Sequence, residues 1–379
     1  MAALRLYLFA YYFGLGAVLP LMAVGLGARG LRPSQYAWVL VLLPLSRLLT
    51  PPLWGALADR YLGAMRLLRT NTALAALAML ALYATSDLWT TVAAFAAWAV
   101  VSSSLVPLVE ASAYRRLGAR ASGFGYIRVF GSIGFATSAF GLGALGVDAA
   151  VRLPFALAAG AYCVAELATF GLAEAAAPSR APLLAAVRAL ALRRDVVLLW
   201  AGSVFYYLAH GAFDAYFGPY ARSLPGVDLR TISAAWSIGV VAEVLVVWFV
   251  PRWLDTRAGR FLLVGSALVA VLRWTLLARA SSSLELLCLQ PLHGITFGIW
   301  YLAFVHENQA RAPDRIRSTV QGVAQACIGA GSLGSTLLGG YVLERFGGRT
   351  LFDAAACAAL LAASCYALRS TRADGAQRL

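Results

Sequence analysis

Apolar runs of about 20 residues follow one another along this chain, the length a helix needs to cross a bilayer core of about 30 Å. A soluble fold does not accommodate this. Of 379 residues, 61% are hydrophobic and 13% charged, too few charges to cover a surface of that size. In lipid every backbone N–H and C=O must be bonded within the chain, so the runs are read as helices. The pattern predicts an all-α membrane protein with twelve transmembrane spans, near 4–27, 34–57, 66–86, 88–113, 123–146, 151–172, 196–221, 231–254, 259–280, 283–307, 318–346 and 350–369. A polar stretch over 174–195 carries Pro178 and Pro182 and divides the chain into six-helix halves, 1–173 and 196–379. It is expected as a linker with a surface helix over 183–192.

The formal net charge of +14 raises nucleic acid as a partner, and the distribution of charge argues against it. Every basic residue is Arg, and under this assignment the arginines concentrate on one side. They crowd the loops after spans 2, 4, 8 and 10, the linker and the C-terminus. The positive-inside rule then puts both termini and the linker in the cytoplasm of a bacterial inner membrane. Cys163, Cys288, Cys327, Cys357 and Cys365 all fall inside apolar runs without metal-ligand spacing, and are expected as small core residues. The first run is too long for a cleavable signal and is followed by a second span. No P-loop, dinucleotide glycine pattern or Cys/His cluster occurs. The chain is therefore expected to be no enzyme and to need no cofactor or metal, its energy coming from a gradient.

The most informative stretch is 43–69. Arg47 sits inside an apolar helix, Pro51 and Pro52 bend its last turns, and Gly55, Asp59 and Arg60 lead into a basic loop. Gly55 allows close helix approach, and Asp59 suits a helix N-terminus, where negative charge is favoured. This resembles the G-x-x-x-D-R-x-G-R loop signature of the major facilitator superfamily, with Leu62 as an extra residue before Gly63 and Ala64 where the family prefers Arg. A degraded copy follows span 8, from Trp253 to Arg260. Gly131-Ser132-Ile133-Gly134 in span 5 also has a counterpart, Gly331-Ser332-Leu333-Gly334 in span 11. Parallel six-helix repeats are the arrangement of major facilitator transporters. Small residues in spans 5 and 11 are expected to pack closely, with an interface that slides between the halves as the functional reading.

Ionisable groups inside spans cost at least about 2.5–3.5 kcal/mol on insertion scales and face a partner or a watery cavity. This chain has Arg47, Glu110, Arg128, Glu166, His210, Asp214, Glu243, Arg273 and His293. At about 1.5 Å rise per residue, Glu243, Arg273 and His293 reach comparable depth and are expected around one cavity. Glu110 is expected to pair with Arg128, and His210 to share a helix face with Asp214. The order of these residues is similar to that in the lactose permease family of sugar–proton symporters. That resemblance implies substrate binding by Glu110 and Arg128 and proton coupling by Glu243, Arg273 and His293. Thr296 stands where that family has a second essential Glu, and Phe135 where it has a sugar-stacking Trp. A closer resemblance is to the branch of phenylpropionate and nucleoside proton symporters. It rests on Leu43–Arg47, Pro51–Gly55, Arg128–Phe135, Trp236–Glu243 and His293–Gly298.

The expected function is proton-coupled symport of a small organic solute (a sugar, nucleoside or aromatic acid) by a monomer in the lipid bilayer. Glu110, Arg128, Phe135, Gln290, His293 and Gln325 are expected at the solute. Glu243, Arg273, His293, Asp214 and His210 are expected to carry the proton. Gly55, Asp59, Arg60 and Arg47 are expected to form a conformational latch. A proton-coupled efflux antiporter uses the same parts and is the alternative. A non-transporting sensor or membrane-embedded enzyme is disfavoured by the paired repeats and the lack of a catalytic constellation.

Overall fold

The computed structural model describes residues 1–19, 33–118, 123–144, 152–172, 183–249 and 259–369. Residues 174–182 of the expected linker and 253–258 of the degraded loop copy lie outside them. Among the described residues there is no strand. The helices are α1 (Ala2–Val18), α2 (Pro33–Leu49), α3 (Pro51–Leu57), α4 (Ala64–Ala84), α5 (Leu88–Ser102) and α6 (Leu105–Leu117). Next come α7 (Gly125–Ala144), α8 (Leu153–Thr169), α9 (Leu183–Ala191), α10 (Arg194–Arg222), α11 (Leu229–Phe249) and α12 (Gly259–Leu277). The last are α13 (Ser283–Leu289), α14 (Trp300–Arg311) and α15 (Arg317–Ala367).

Several of these are pieces of one span. Pro51 and Pro52 open α3, where missing N–H groups cost little, and the segments Val41–Leu49 and Pro51–Leu62 meet at 41°. The sequence predicts this bend. The helices α5 and α6 form one apolar rod, Leu88–Leu117. A π-helical segment, Gly294–Ile299, joins α13 to α14 within Ser283–Arg311. The 51-residue α15 covers the last two expected spans and breaks at Gly347, whose φ of 81° and ψ of 170° only glycine adopts readily. Among the described residues seven helices are long and apolar enough to cross a membrane, or eight with the bent pair counted as one. The expected twelve differ because α15 counts once, because α1 and α8 are short for a span at 17 residues each, and because α7 is not among the helices that qualify.

The packing follows the repeat. Helix α1 lies along α7 and α8, while α10 lies along α15. N-terminal and C-terminal helices meet along two seams, α15 against α2 and α3, and α7 against α11. The glycines of the paired motifs do not face those seams, although Ser132 between them does. A Cβ on Gly131 would lie 2.6 Å from the Tyr12 ring of α1, and one on Gly331 would lie 2.8 Å from Cβ of Tyr207 of α10. These glycines pack helices within each half, the close packing expected of them. The seam is lined instead by Gly55, Gly322 and Gly329, each of which approaches backbone across it.

The outward face is apolar, with Leu77, Phe140 and Leu167 exposed as lipid contact requires. Three of the cysteines lie on that side of the helices too. Cys163, Cys288 and Cys357 are exposed, so the expectation of core cysteines fails for these three, while Cys327 and Cys365 are half-buried. In lipid a thiol gains little from the interior, because the tails are as apolar as a core. At the end that carries the basic loops, Leu190 of α9 packs with Ile316, with Val320 of α15 and with Ala56 of α3.

Candidate functional site

The loop signature of residues 55–60 ends on a cross-seam junction. A π-helical turn over Ala58–Leu62 brings Asp59 inward, and the side chain is buried. Its Oδ2 accepts from the backbone N–H of Thr319 at 2.7 Å and from the Thr319 hydroxyl at 2.8 Å. Thr319 stands in the first turn of α15, so Asp59 caps that helix from outside and meets the positive end of its dipole. Its Oδ1 accepts from Arg115 of α6 at 2.9 Å. Arg115 reaches on to the Asp314 carbonyl and Ser318 hydroxyl, each at 3.4 Å. A Cβ on Gly55 would come within 2.5 Å of the Ser318 carbonyl, so the glycine is required for this approach.

Arg60 takes no part in this junction. It is exposed and lies over its neighbour Tyr61. The arginine that joins Asp59 is Arg115, which sequence reasoning read as a loop charge. Arg47 also lies elsewhere, half-buried nearer the middle of the seam.

A second layer of buried polar groups crosses the seam between the two ends. Arg128 of α7 is 3.9 Å from Glu243 of α11. Ser132, one turn after Arg128, bridges them: its hydroxyl accepts from Arg128 at 3.3 Å and donates to Glu243 at 2.7 Å. The Arg128 guanidinium also lies 4.2 Å from the Tyr12 ring centre and 5.4 Å from that of Tyr301. The expected Glu110–Arg128 pair is not made. Glu110, fully buried on α6, accepts from the Tyr301 hydroxyl at 2.6 Å and from the Gln321 amide at 2.7 Å. Gln325 in turn donates to the Tyr301 hydroxyl at 3.4 Å.

The third layer belongs to the C-terminal helices alone. Arg273 of α12 donates to Nδ1 of His293 at 3.2 Å, to the Thr296 hydroxyl at 2.9 Å and to the Gln290 side-chain carbonyl at 3.0 Å. Phe213 and Trp274 flank it, with ring centres 4.5 and 4.6 Å away. The expected Glu243–Arg273–His293 cluster is therefore divided: His293 joins Arg273, and Glu243 joins Arg128. Since Arg can only donate, Nδ1 of His293 is the acceptor. Gln290 holds Arg273 and is fully packed, which departs from its expected place at the solute. His210 Nε2 lies 3.7 Å from Asp214 Oδ1, on one face of α10 as the spacing predicts. Asp214 is open at 48% side-chain exposure while His210 is buried. Phe135 is half-buried, one turn beyond Ser132 on α7.

The residues that sequence reasoning missed are hydroxyls, amides and one loop arginine: Ser132, Thr296, Tyr301, Gln321, Thr319 and Arg115. Ser132 carried a readable signal, since it lies four residues after Arg128 on a helix. The others depend on contacts between distant spans.

Two apolar-coated helical sets, joined across a seam by buried charges and closed at the basic-loop end, define a multi-pass membrane transporter. The chain belongs to the MFS_1 like family, whose pattern matches residues 1–354. It is 28% identical over 354 residues to the "Maltose permease" of Geobacillus stearothermophilus, covering 90% of this chain and 87% of that protein. It is 28% identical over 370 residues to the "Probable 3-phenylpropionic acid transporter" of Escherichia coli (strain K12), covering 91% of each. Among solved structures, the human organic anion transporter MFSD10 superposes with a TM-score of 0.82 at 15% identity, covering 96% of this chain and 98% of that one. The last likeness is one of fold.

Proposed function

We propose that this transporter carries a small organic solute together with a proton, by alternating access between halves 1–173 and 196–379, with 174–195 as their linker. The observation that carries the reading is the Arg128–Ser132–Glu243 junction. It is buried, it spans the seam, and its one carboxylate is within reach of its one guanidinium. A proton on Glu243 cancels the charge opposite Arg128. Arg128 is then available to hydroxyl or carboxylate oxygens of a solute, for which its fork of donors is suited. Loss of the proton restores the pair and expels the solute. This moves the proton-sensitive partner of Glu243 from Arg273 to Arg128.

The solute is taken as a sugar, nucleoside or aromatic acid, in keeping with the names of the relatives. Glu243 already answers the charge of Arg128, and Asp214 stands beside His210 as a second carboxylate. A neutral, hydroxyl-rich solute fits that balance without leaving a carboxylate opposed. Tyr12, Phe135 and Gln325 are proposed as its further contacts, with His210, Asp214, Arg273 and His293 as supports for the proton site. The protein is placed in the bacterial inner membrane as a monomer, with both termini in the cytoplasm.

The test is uptake into energised vesicles with a pH reporter inside, using maltose, uridine and 3-phenylpropionate. A solute that enters and acidifies the lumen is the expected result. Glu243→Gln is expected to abolish accumulation while leaving solute exchange down its gradient. Accumulation by Glu243→Gln at the unmodified level would overturn the role of Glu243.

A further inference from the structure

We propose that Glu110 is a gate residue, which holds the basic-loop end closed and does not contact the solute. The proposal rests on the alternating-access reading but on no choice of solute or coupling ion. Three observations carry it.

First, the carboxylate has no surface to offer a ligand. It is fully buried, and each oxygen is taken by a donor at 2.6 or 2.7 Å. Secondly, both donors come from the other side of the seam. Glu110 stands on α6, Tyr301 on α14 and Gln321 on α15. Rigid separation of the two sets would break both bonds at once. Thirdly, the contact is continuous with the Asp59 junction. Gln321 lies two residues after Thr319, and Glu110 five before Arg115 on its helix. The two buried carboxylates thus form successive rungs, Asp59 at the loop and Glu110 deeper in.

A carboxylate with two donors at these distances is strongly held, and one left without them in a dry site is penalised. Closing the seam satisfies Glu110; opening it removes both partners together. Tyr301 also faces Arg128 with its ring, so a movement of α14 is felt at the gate and at the junction of the Arg128–Glu243 pair. Gln325, which donates to the Tyr301 hydroxyl, fixes the direction in which that hydroxyl donates.

The experiment places spin labels on exposed residues on either side of the closed end, by Arg60→Cys and Arg315→Cys, with the five native cysteines replaced. Distance distributions are recorded on purified protein with neither solute nor gradient. Glu110→Gln leaves one acceptor oxygen for two donors, and Tyr301→Phe removes one donor while keeping the ring beside Arg128. Each is expected to raise the ratio of long to short distances about tenfold, the effect of losing one such bond. Tyr301→Phe keeps the test open should Glu110→Gln fail to fold. Unchanged distributions in the folded variants would overturn the proposal. Failure of the symport reading would appear only in the vesicle assay and would leave these distances untouched.

Discussion

Arg273 is a buried cation whose direct partners are all neutral: an imidazole nitrogen, a hydroxyl, an amide carbonyl and two aromatic faces. Desolvation of such a group is offset only while its donors stay engaged. Thr296→Val removes one acceptor at constant volume and leaves that Nη1 with His293 alone. The expected loss is about 1.5–3 kcal/mol of stability, read as a lower midpoint in thermal unfolding in detergent, with an unaltered midpoint counting against the packing role. The same residue shows what single-sequence reading can reach. The rare charges were all visible, since each stands alone in an apolar run. Their partners were not, because Thr296, Tyr301 and Gln321 are ordinary residues of membrane helices until a neighbouring helix brings a charge to them. Matching the charges only with one another therefore joined Glu110 to Arg128 and Glu243 to Arg273, and the hydroxyls and amides that share those bonds were left out.

At the scale of elements, proline and glycine decide where helices bend and touch. The turn at Pro51 and Pro52 was legible because proline at a helix start has a fixed local meaning. The closeness of Gly55 to Ser318 was legible only as a capacity, since the partner is more than 250 positions away in sequence. Gly55→Leu would drive a side chain into the α15 backbone, where a Cβ alone meets the Ser318 carbonyl at 2.5 Å. That contact is backbone and cannot yield, so the basic-loop end is expected to stay parted. Faster alkylation of a cysteine at Ser318, which is buried in the closed junction, would report it, and an unchanged rate would show that α3 and α15 can shift without opening. Gly347 makes the complementary case. Its ψ of 170° at φ 81° is a region closed to other residues. Gly347→Ala is expected to cost about 1–3 kcal/mol, measurable as a lower unfolding midpoint with transport retained in the fraction that folds.

For the whole molecule, the repeated motifs foretold the architecture, because two copies of a helix set in one orientation must pack on equivalent faces. They did not foretell which end would be closed, since that depends on the balance of cross-seam contacts. Here the closed end is the one that carries Asp59, Thr319 and Arg115. If transport requires that end to open, a covalent bond across it must stop the cycle. Asp59→Cys with Thr319→Cys places two thiols where a carboxylate and a hydroxyl now lie 2.8 Å apart. In a background without the five native cysteines, oxidation is expected to form the disulfide and to abolish net uptake into vesicles. Reduction is expected to restore uptake to the level of the unoxidised double variant, which separates the cross-link from the loss of Asp59 itself. Binding of solute from the opposite face is expected to survive oxidation, since the junction of Arg128 with Glu243 lies deeper than the bond. Full uptake by the cross-linked protein would mean that solute passes without separation of α3 from α15, and alternating access across this seam would have to be abandoned.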